Sequence, residues 1–158
     1  MWRVHLIRGL VSVAMATDMV VGTHHSKELL PIVVACALWG KDWRGSTVKC
    51  VCDNAAVVAI LNSGQSKDKL AMHLIRCLFF FLAHFNVFLF AQHLPGRDNV
   101  AADALSRDNL PLFHQQVRQA ASSPTPIPDE LLQTLILHQP DWMSQSWRDW
   151  FNTTLRKV

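Results

Sequence analysis

The sequence has no tyrosine, no block of lysines and arginines, no C-x-x-C pair and no visible internal repeat. Each absence narrows the field. Fifteen basic residues against twelve acidic ones give a net charge of +3 and a pI near 8.8. Because the cations are scattered, that balance permits a nucleic-acid partner without demanding one. The four cysteines are Cys36, Cys50, Cys52 and Cys77. Cys50 and Cys52 stand two apart on one face of an expected strand, so a zinc site would need distant partners. Buried, reduced thiols are the simpler expectation, and they point to a reducing compartment. The apolar run LFFFLAHFNVFLF is broken by His84 and Asn86 and preceded by Arg76, which excludes a membrane span. The opening MWRVHLIRGLVSVAMATDM imitates a signal peptide, with Ala14-Met15-Ala16 as a mock cleavage site. His5 and Arg8 interrupt its apolar stretch, so the expectation is a nuclear or cytoplasmic protein that is not secreted.

What is present is enough for one core: 158 residues, half of them hydrophobic, with six tryptophans and eight phenylalanines. A first strand is expected over WRVHLI. Residues 26–44 read as a helix with Ser26 as N-cap, Glu28 in the first turn, Pro31 near the start and Gly45 as stop. The β-branched TVKCVCDN reads as a strand ending in Asp53 and Asn54. A short helix over 55–61 closes at Asn62-Ser63-Gly64, and a longer one follows over 68–85. NVFLFAQH is a second buried strand ending in His93. Beyond the Pro95-Gly96 turn, Asp98 or Asn99 is placed to cap a helix over VAADALSR. Strands alternating with helices predict an α/β fold with at least two parallel strands. Residues 111–127 are read as a linker, most plainly in the Ser/Pro-rich AASSPTPIP, and 128–158 as a helical tail rich in tryptophan.

In open α/β sheets, ligands bind at the carboxyl ends of strands. Both expected strands finish there in polar groups, Asp53 and His93. Glu28 opens the helix before the first strand, and Asp103 lies in the helix after the second. Singly, each has a plainer role: Glu28 favours a helix N-terminus, Asp53 forms turns, and Asp98 caps. A lone His93 is more often a satisfied surface histidine, whereas Asp103 is unfavourable inside an Ala/Leu helix and needs a reason. Together, three carboxylates repel one another and call for a cation. Oxygen donors alone select Mg²⁺ or Mn²⁺, and a pair of such ions can clamp both oxygens of a phosphodiester under attack. A nearby histidine can then move a proton.

The segments SKELLPIVVACALWG, VKCVCDNAAVVAILNS and HLPGRDNVAADALSR occur in that order, and together they resemble the ribonuclease H domain of retroelement reverse transcriptases. The likeness spans about residues 24–110 and is nearest to DIRS-type elements, whose polyproteins continue into a tyrosine recombinase. The linker and tail are similar to the junction before that recombinase. The resemblance implies an RNase H-like mixed sheet flanked by helices, and two-metal hydrolysis of the RNA strand in an RNA–DNA hybrid. It assigns metal-binding roles to Glu28, Asp53 and Asp103, a catalytic role to His93, and contact with the hybrid to Asn54. Domain limits follow as 1–110 for the RNase H-like unit, 111–127 for the linker and 128–158 for the tail.

One feature departs from that family, which begins with three antiparallel strands and carries a further metal aspartate on the first. Only 27 residues precede Glu28, WRVHLI has no acid, and Asp18 is the sole carboxylate in that stretch. The N-terminal strands are therefore expected to be shortened or missing, and the copy to be a truncated one whose activity is in question. The alternative is a non-catalytic module that binds nucleic acid or tethers a polyprotein. A transposase or integrase on the same fold would more often end its acidic set with glutamate, which Asp103 opposes. The oligomeric state is left open.

Overall fold

A computed structural model describes residues 3–7, 10–14, 23–118, 125, 127–137, 149 and 152–153. Helix α1 (His24–Trp39) is the element on which the others pack. Its sequence is apolar nearly all round, the signature of a helix buried on most sides. Leu29, Leu30, Val33, Val34, Ala35, Cys36, Ala37 and Trp39 are all buried.

The helix starts earlier than the sequence reading placed it. Thr23, not Ser26, is the N-cap, and its hydroxyl oxygen accepts from the Ser26 amide at 3.4 Å. Ser26 is instead fully buried and donates its hydroxyl to Asp68 Oδ1 at 2.9 Å. Asp68 also caps α3 (Lys69–Phe85), accepting from the Ala71 amide at 2.6 Å. One carboxylate therefore ties together the starts of the two longest helices. Pro31 consequently lies in the helix interior rather than near its start. The far end also differs: α1 stops at Trp39, and the next position must be glycine, because a Cβ at Gly40 would overlap the Phe85 ring of α3.

Strands β3 (Thr47–Cys52) and β4 (Phe88–His93) pair in parallel, with Thr47 opposite Phe88 and Cys52 opposite His93. Helices α2 (Ala55–Ser63) and α3 make the crossover between them. Side chains alternate across a strand. Val48, Cys50, Cys52, Leu89 and Ala91 accordingly face the core built by α1, α3 and the Val57 and Leu61 side of α2. Gly64, in the left-handed region at φ 68°, ends α2, so Asn62 and Ser63 belong to the helix rather than to a turn. Asn62 then clamps the free edge of β4. Its Nδ2 donates to the Ala91 carbonyl at 2.9 Å, and its Oδ1 accepts from the Ala91 amide at 2.8 Å. A side-chain amide here does the work of a neighbouring strand at an edge that would otherwise be open.

The first two strands, β1 (Arg3–Ile7) and β2 (Leu10–Ala14), form an antiparallel hairpin with Ile7 opposite Leu10. β2 runs near α1, β3 and the later helix α4 (Val100–Ser106), yet shares no ladder with β3. The described residues therefore hold two separate two-stranded sheets, not the single mixed sheet expected, since a mixed sheet needs an antiparallel strand bonded to the parallel pair. The fold is α/β, and the expected minimum of two parallel strands is met.

The start of the expected linker is also structured. Helix α5 (Leu110–Gln116) begins at Asn109, whose side chain accepts from the Leu112 amide at 3.2 Å, with Pro111 in the first turn. Phe113 and Val117 of this region join Ala104 and Leu105 of α4 in a small second core. The tail begins with α6 (Asp129–Leu137), whose Leu131 and Leu135 are fully buried in the main core against α1 and α3. Burial of two leucines on this scale contributes roughly 1.5–3 kcal/mol each. The tail's three tryptophans, Asp18 and most of the Ser/Pro stretch lie outside the described residues. Among the described residues, no helix is long and apolar enough to cross a membrane.

Replacing Asn62 by Ala removes both edge bonds while leaving the core untouched. Urea unfolding followed by circular dichroism is expected to show a loss of about 1–2 kcal/mol; an unchanged midpoint would show that water caps Ala91 as well as the amide does.

Candidate functional site

The parallel register fixes the centre of the site. Because Cys52 sits opposite His93, Asp53 and His93 emerge side by side where the two strands end. His93 Nε2 lies 3.2 Å from the Asp53 carbonyl oxygen. A carbonyl only accepts, so this geometry assigns the proton to Nε2 and leaves Nδ1 of the neutral ring as an acceptor. Gly96, in the 3-10 turn Gly96–Asp98 after β4, approaches the Asp53 carboxylate closely: a Cβ built on it would stand 3.5 Å from Oδ2. The Pro-Gly turn therefore folds back beside Asp53 and leaves the carboxylate exposed.

Glu28 reaches the same strand end from α1. The Cys52 thiol lies 4.0 Å from Glu28 Oε2, and the Asn54 amide donates to Cys52 Sγ at 3.4 Å. The thiol is held above its ordinary pKa, first by burial; the Asn54 backbone bond opposes this, and the Glu28 and Asp53 carboxylates both reinforce it. One sulfur thus senses both acids, which places Glu28 and Asp53 around the end of β3. With α1 beginning at His24, Glu28 falls in the second turn rather than the first. The helix dipole fades within the first turn, so its pull on Glu28 is small. One turn back on α1, His24 Nδ1 stands 2.7 Å from Glu28 Oε1.

Asn54, expected to touch the hybrid, caps α2: its Oδ1 accepts from the Ala56 and Val57 amides at 2.9 and 3.3 Å. That use fixes the amide's orientation. Asp98 and Asn99, expected as side-chain caps of α4, do not serve as such; the N-cap position falls on Asn99 through its carbonyl, which accepts from the Asp103 amide at 3.0 Å.

Asp103 stands apart from the other acids. It is exposed on α4 and pairs with Arg107 one turn on, Oδ1 to Nε at 2.9 Å. Among the described residues, no three His, Cys, Asp or Glu side chains stand close enough to hold one metal ion. The structure therefore brings Asp53, His93 and Glu28 to one strand end and leaves Asp103 on a neighbouring helix with its arginine. The donor chemistry still fits a hard divalent cation, for all three acids offer carboxylate oxygens that water reaches.

Three participants escaped the sequence reading. By sequence Cys52 reads as an inert buried thiol, although its place just before Asp53 turns it toward the preceding helix. His24 and Arg107 were visible as i,i+4 partners of Glu28 and Asp103, a spacing that brings side chains together on a helix. Compared with known proteins, the chain matches no protein-family model, no curated protein and no solved structure.

Burial pushes the Cys50 and Cys77 thiols up to about 12, with the charge of Cys52 adding at Cys50. An unfolded chain ionises its thiols from about pH 8.5. Raised folded values mean that the native state holds those protons longer, so the stabilising contribution is complete below that pH and is lost as pH climbs toward 12. Denaturation midpoints are expected to fall across that alkaline window. At pH 8 an aromatic disulfide reagent is expected to label the native thiols far more slowly than the unfolded ones; equal rates would contradict their burial.

Proposed function

We propose that the chain is an RNase H-like domain of retroelement reverse-transcriptase lineage that hydrolyses the RNA strand of RNA–DNA hybrids. The observation that carries this reading is the register of β3 on β4. It sets Asp53 and His93 side by side, with Glu28 reaching the same strand end, in the order and spacing that the three sequence segments share with that family. Asp103 follows His93 by ten positions, as in the A-D-x-L-S segment that matches the family.

In this reading Glu28, Asp53 and Asp103 hold Mg²⁺ or Mn²⁺. Two such ions, when bound, supply charge neutralisation and an activated water for in-line displacement at phosphorus. Asp103 must exchange Arg107 for that cation, which its exposure allows. His93 serves the proton traffic: with Nε2 committed to the Asp53 carbonyl, Nδ1 takes a proton from water or returns one to the departing oxygen. Asn54 keeps Oδ1 on the start of α2 and presents the rest of its amide toward the hybrid.

A second reading is a non-catalytic module that binds nucleic acid or tethers a polyprotein. It is favoured by the pairing of Glu28 with His24 and of Asp103 with Arg107, and by strands β1 and β2, RVHLI and LVSVA, which contain no acid.

Incubation of the whole chain with a labelled RNA–DNA hybrid in Mg²⁺ or Mn²⁺ separates the two. Cleavage is expected, and Asp53→Asn is expected to lower it on the order of a hundredfold or more, since even outer-shell partners of a metal cost 10- to 100-fold. His93→Ala is expected to slow it by about a hundredfold. Binding without cleavage would establish the module instead, and cleavage that survives Asp53→Asn would remove the proposed site.

A further inference from the structure

Among the described residues, the side of the β3–β4 pair turned away from the core is largely exposed, with Val51 half-buried. Alternation puts Thr47, Lys49 and Val51 of β3 on that side, and the register sets them beside Phe88, Phe90 and Gln92 of β4. Phe88 is 66% exposed and Phe90 37%. Parallel sheets are ordinarily covered on both faces, so two phenylalanines in solvent on one strand face call for an occupant.

We infer that this face is a stacking platform for single-stranded nucleic acid, independent of the nuclease reading. Phe88 and Phe90 stand two residues apart on one strand, each offering a flat ring to a base. Lys49 lies directly across the ladder from Phe90, positioned for the phosphate between two stacked bases. Among the described strand residues, the face carries no carboxylate. The turn before β3 is tied to β4's approach by the Gly45 amide on the Asn86 carbonyl at 2.9 Å, and its Arg44 acts on His84 of α3 rather than on this face. Two aromatic rings flanked by a lysine, with no acid among the described residues of the face, complement a polyanion built of flat bases.

Size and charge argue against a second copy of the chain as occupant. Two strands about 17–20 Å long and about 10 Å across present on the order of 200 Å², against roughly 800 Å² per partner in a stable protein interface. That area suits two or three stacked bases. A two-fold contact would also set Lys49 against its own copy with no acid on the face to compensate.

The test is fluorescence anisotropy of labelled oligo-dT and oligo-rU with the whole chain in EDTA, where metal-dependent cleavage cannot contribute. Both single strands are expected to bind more tightly than a duplex. Phe88→Ala and Phe90→Ala are each expected to weaken binding on the order of tenfold. Phe88→Leu, which keeps apolar surface but loses the ring, is expected to weaken it as well. Lys49→Ala is expected to lower the slope of log affinity on log salt by about 0.7. Thermal melts confirm that the variants fold, as their exposure predicts. Wild-type binding by Phe88→Leu or by the double alanine variant would overturn the platform. So would sedimentation showing a wild-type dimer that Phe88→Ala dissociates, because the face would then be an interface between copies.

Discussion

The pairing of β3 with β4 fixes where the candidate site lies. Parallel strands cannot be joined by a tight turn, so the sequence between them must fold into a crossover, here α2 and α3. That crossover supplies both the helix that packs on α1 and the asparagine that closes the outer edge of β4. Because Cys52 falls opposite His93, the residues that end the strands emerge together. A slip of β4 by one residue would turn Leu89 and Ala91 out of the core and carry His93 away from Asp53. The position of the candidate site is thus a consequence of register, and register is a consequence of which side chains the core accepts.

The site combines two kinds of control. Its position comes from apolar packing: α1 is nearly encased, and its starting turn is locked to α3 through Ser26 and Asp68. Its charges are held by local pairs instead, Glu28 by His24 and Asp103 by Arg107. Exposed pairs of this spacing are worth only a few tenths of a kcal/mol. They are easily exchanged for a stronger electrostatic partner. The site is thus rigid in backbone and loose in charge.

Much of this was legible in the sequence, and the reasons differ by element. The strands TVKCVC and FLFAQH announced themselves through β-branched and aromatic runs closed by polar residues. Their parallel pairing followed from the helices between them. Helix limits were less legible, because Thr23 and Ser26 are both good caps and only packing against Asp68 decides which one is buried. Helix α5 was hidden by the proline-rich stretch that follows it, although Asn109 and Pro111 are an ordinary helix start. The separation of the hairpin from the parallel pair could not be read at all, since ladder formation between distant strands depends on tertiary placement. At the site, the meeting of Asp53 with His93 followed from strand ends alone. The pairing of Asp103 with Arg107 is legible only as an i,i+4 spacing, which marks a salt bridge and not a cation site.

We propose that a divalent cation binds Glu28 and Asp53 beside His93 and recruits Asp103, which must first leave Arg107. Paramagnetic line broadening by Mn²⁺, read residue by residue in an amide nuclear magnetic resonance spectrum, tests it most directly. The account predicts that substoichiometric Mn²⁺ first erases the signals of residues 28, 53, 54, 93 and 103, with Mg²⁺ competing the effect away. Broadening scattered over the surface, or confined to one of these elements while the others stay sharp, would contradict it.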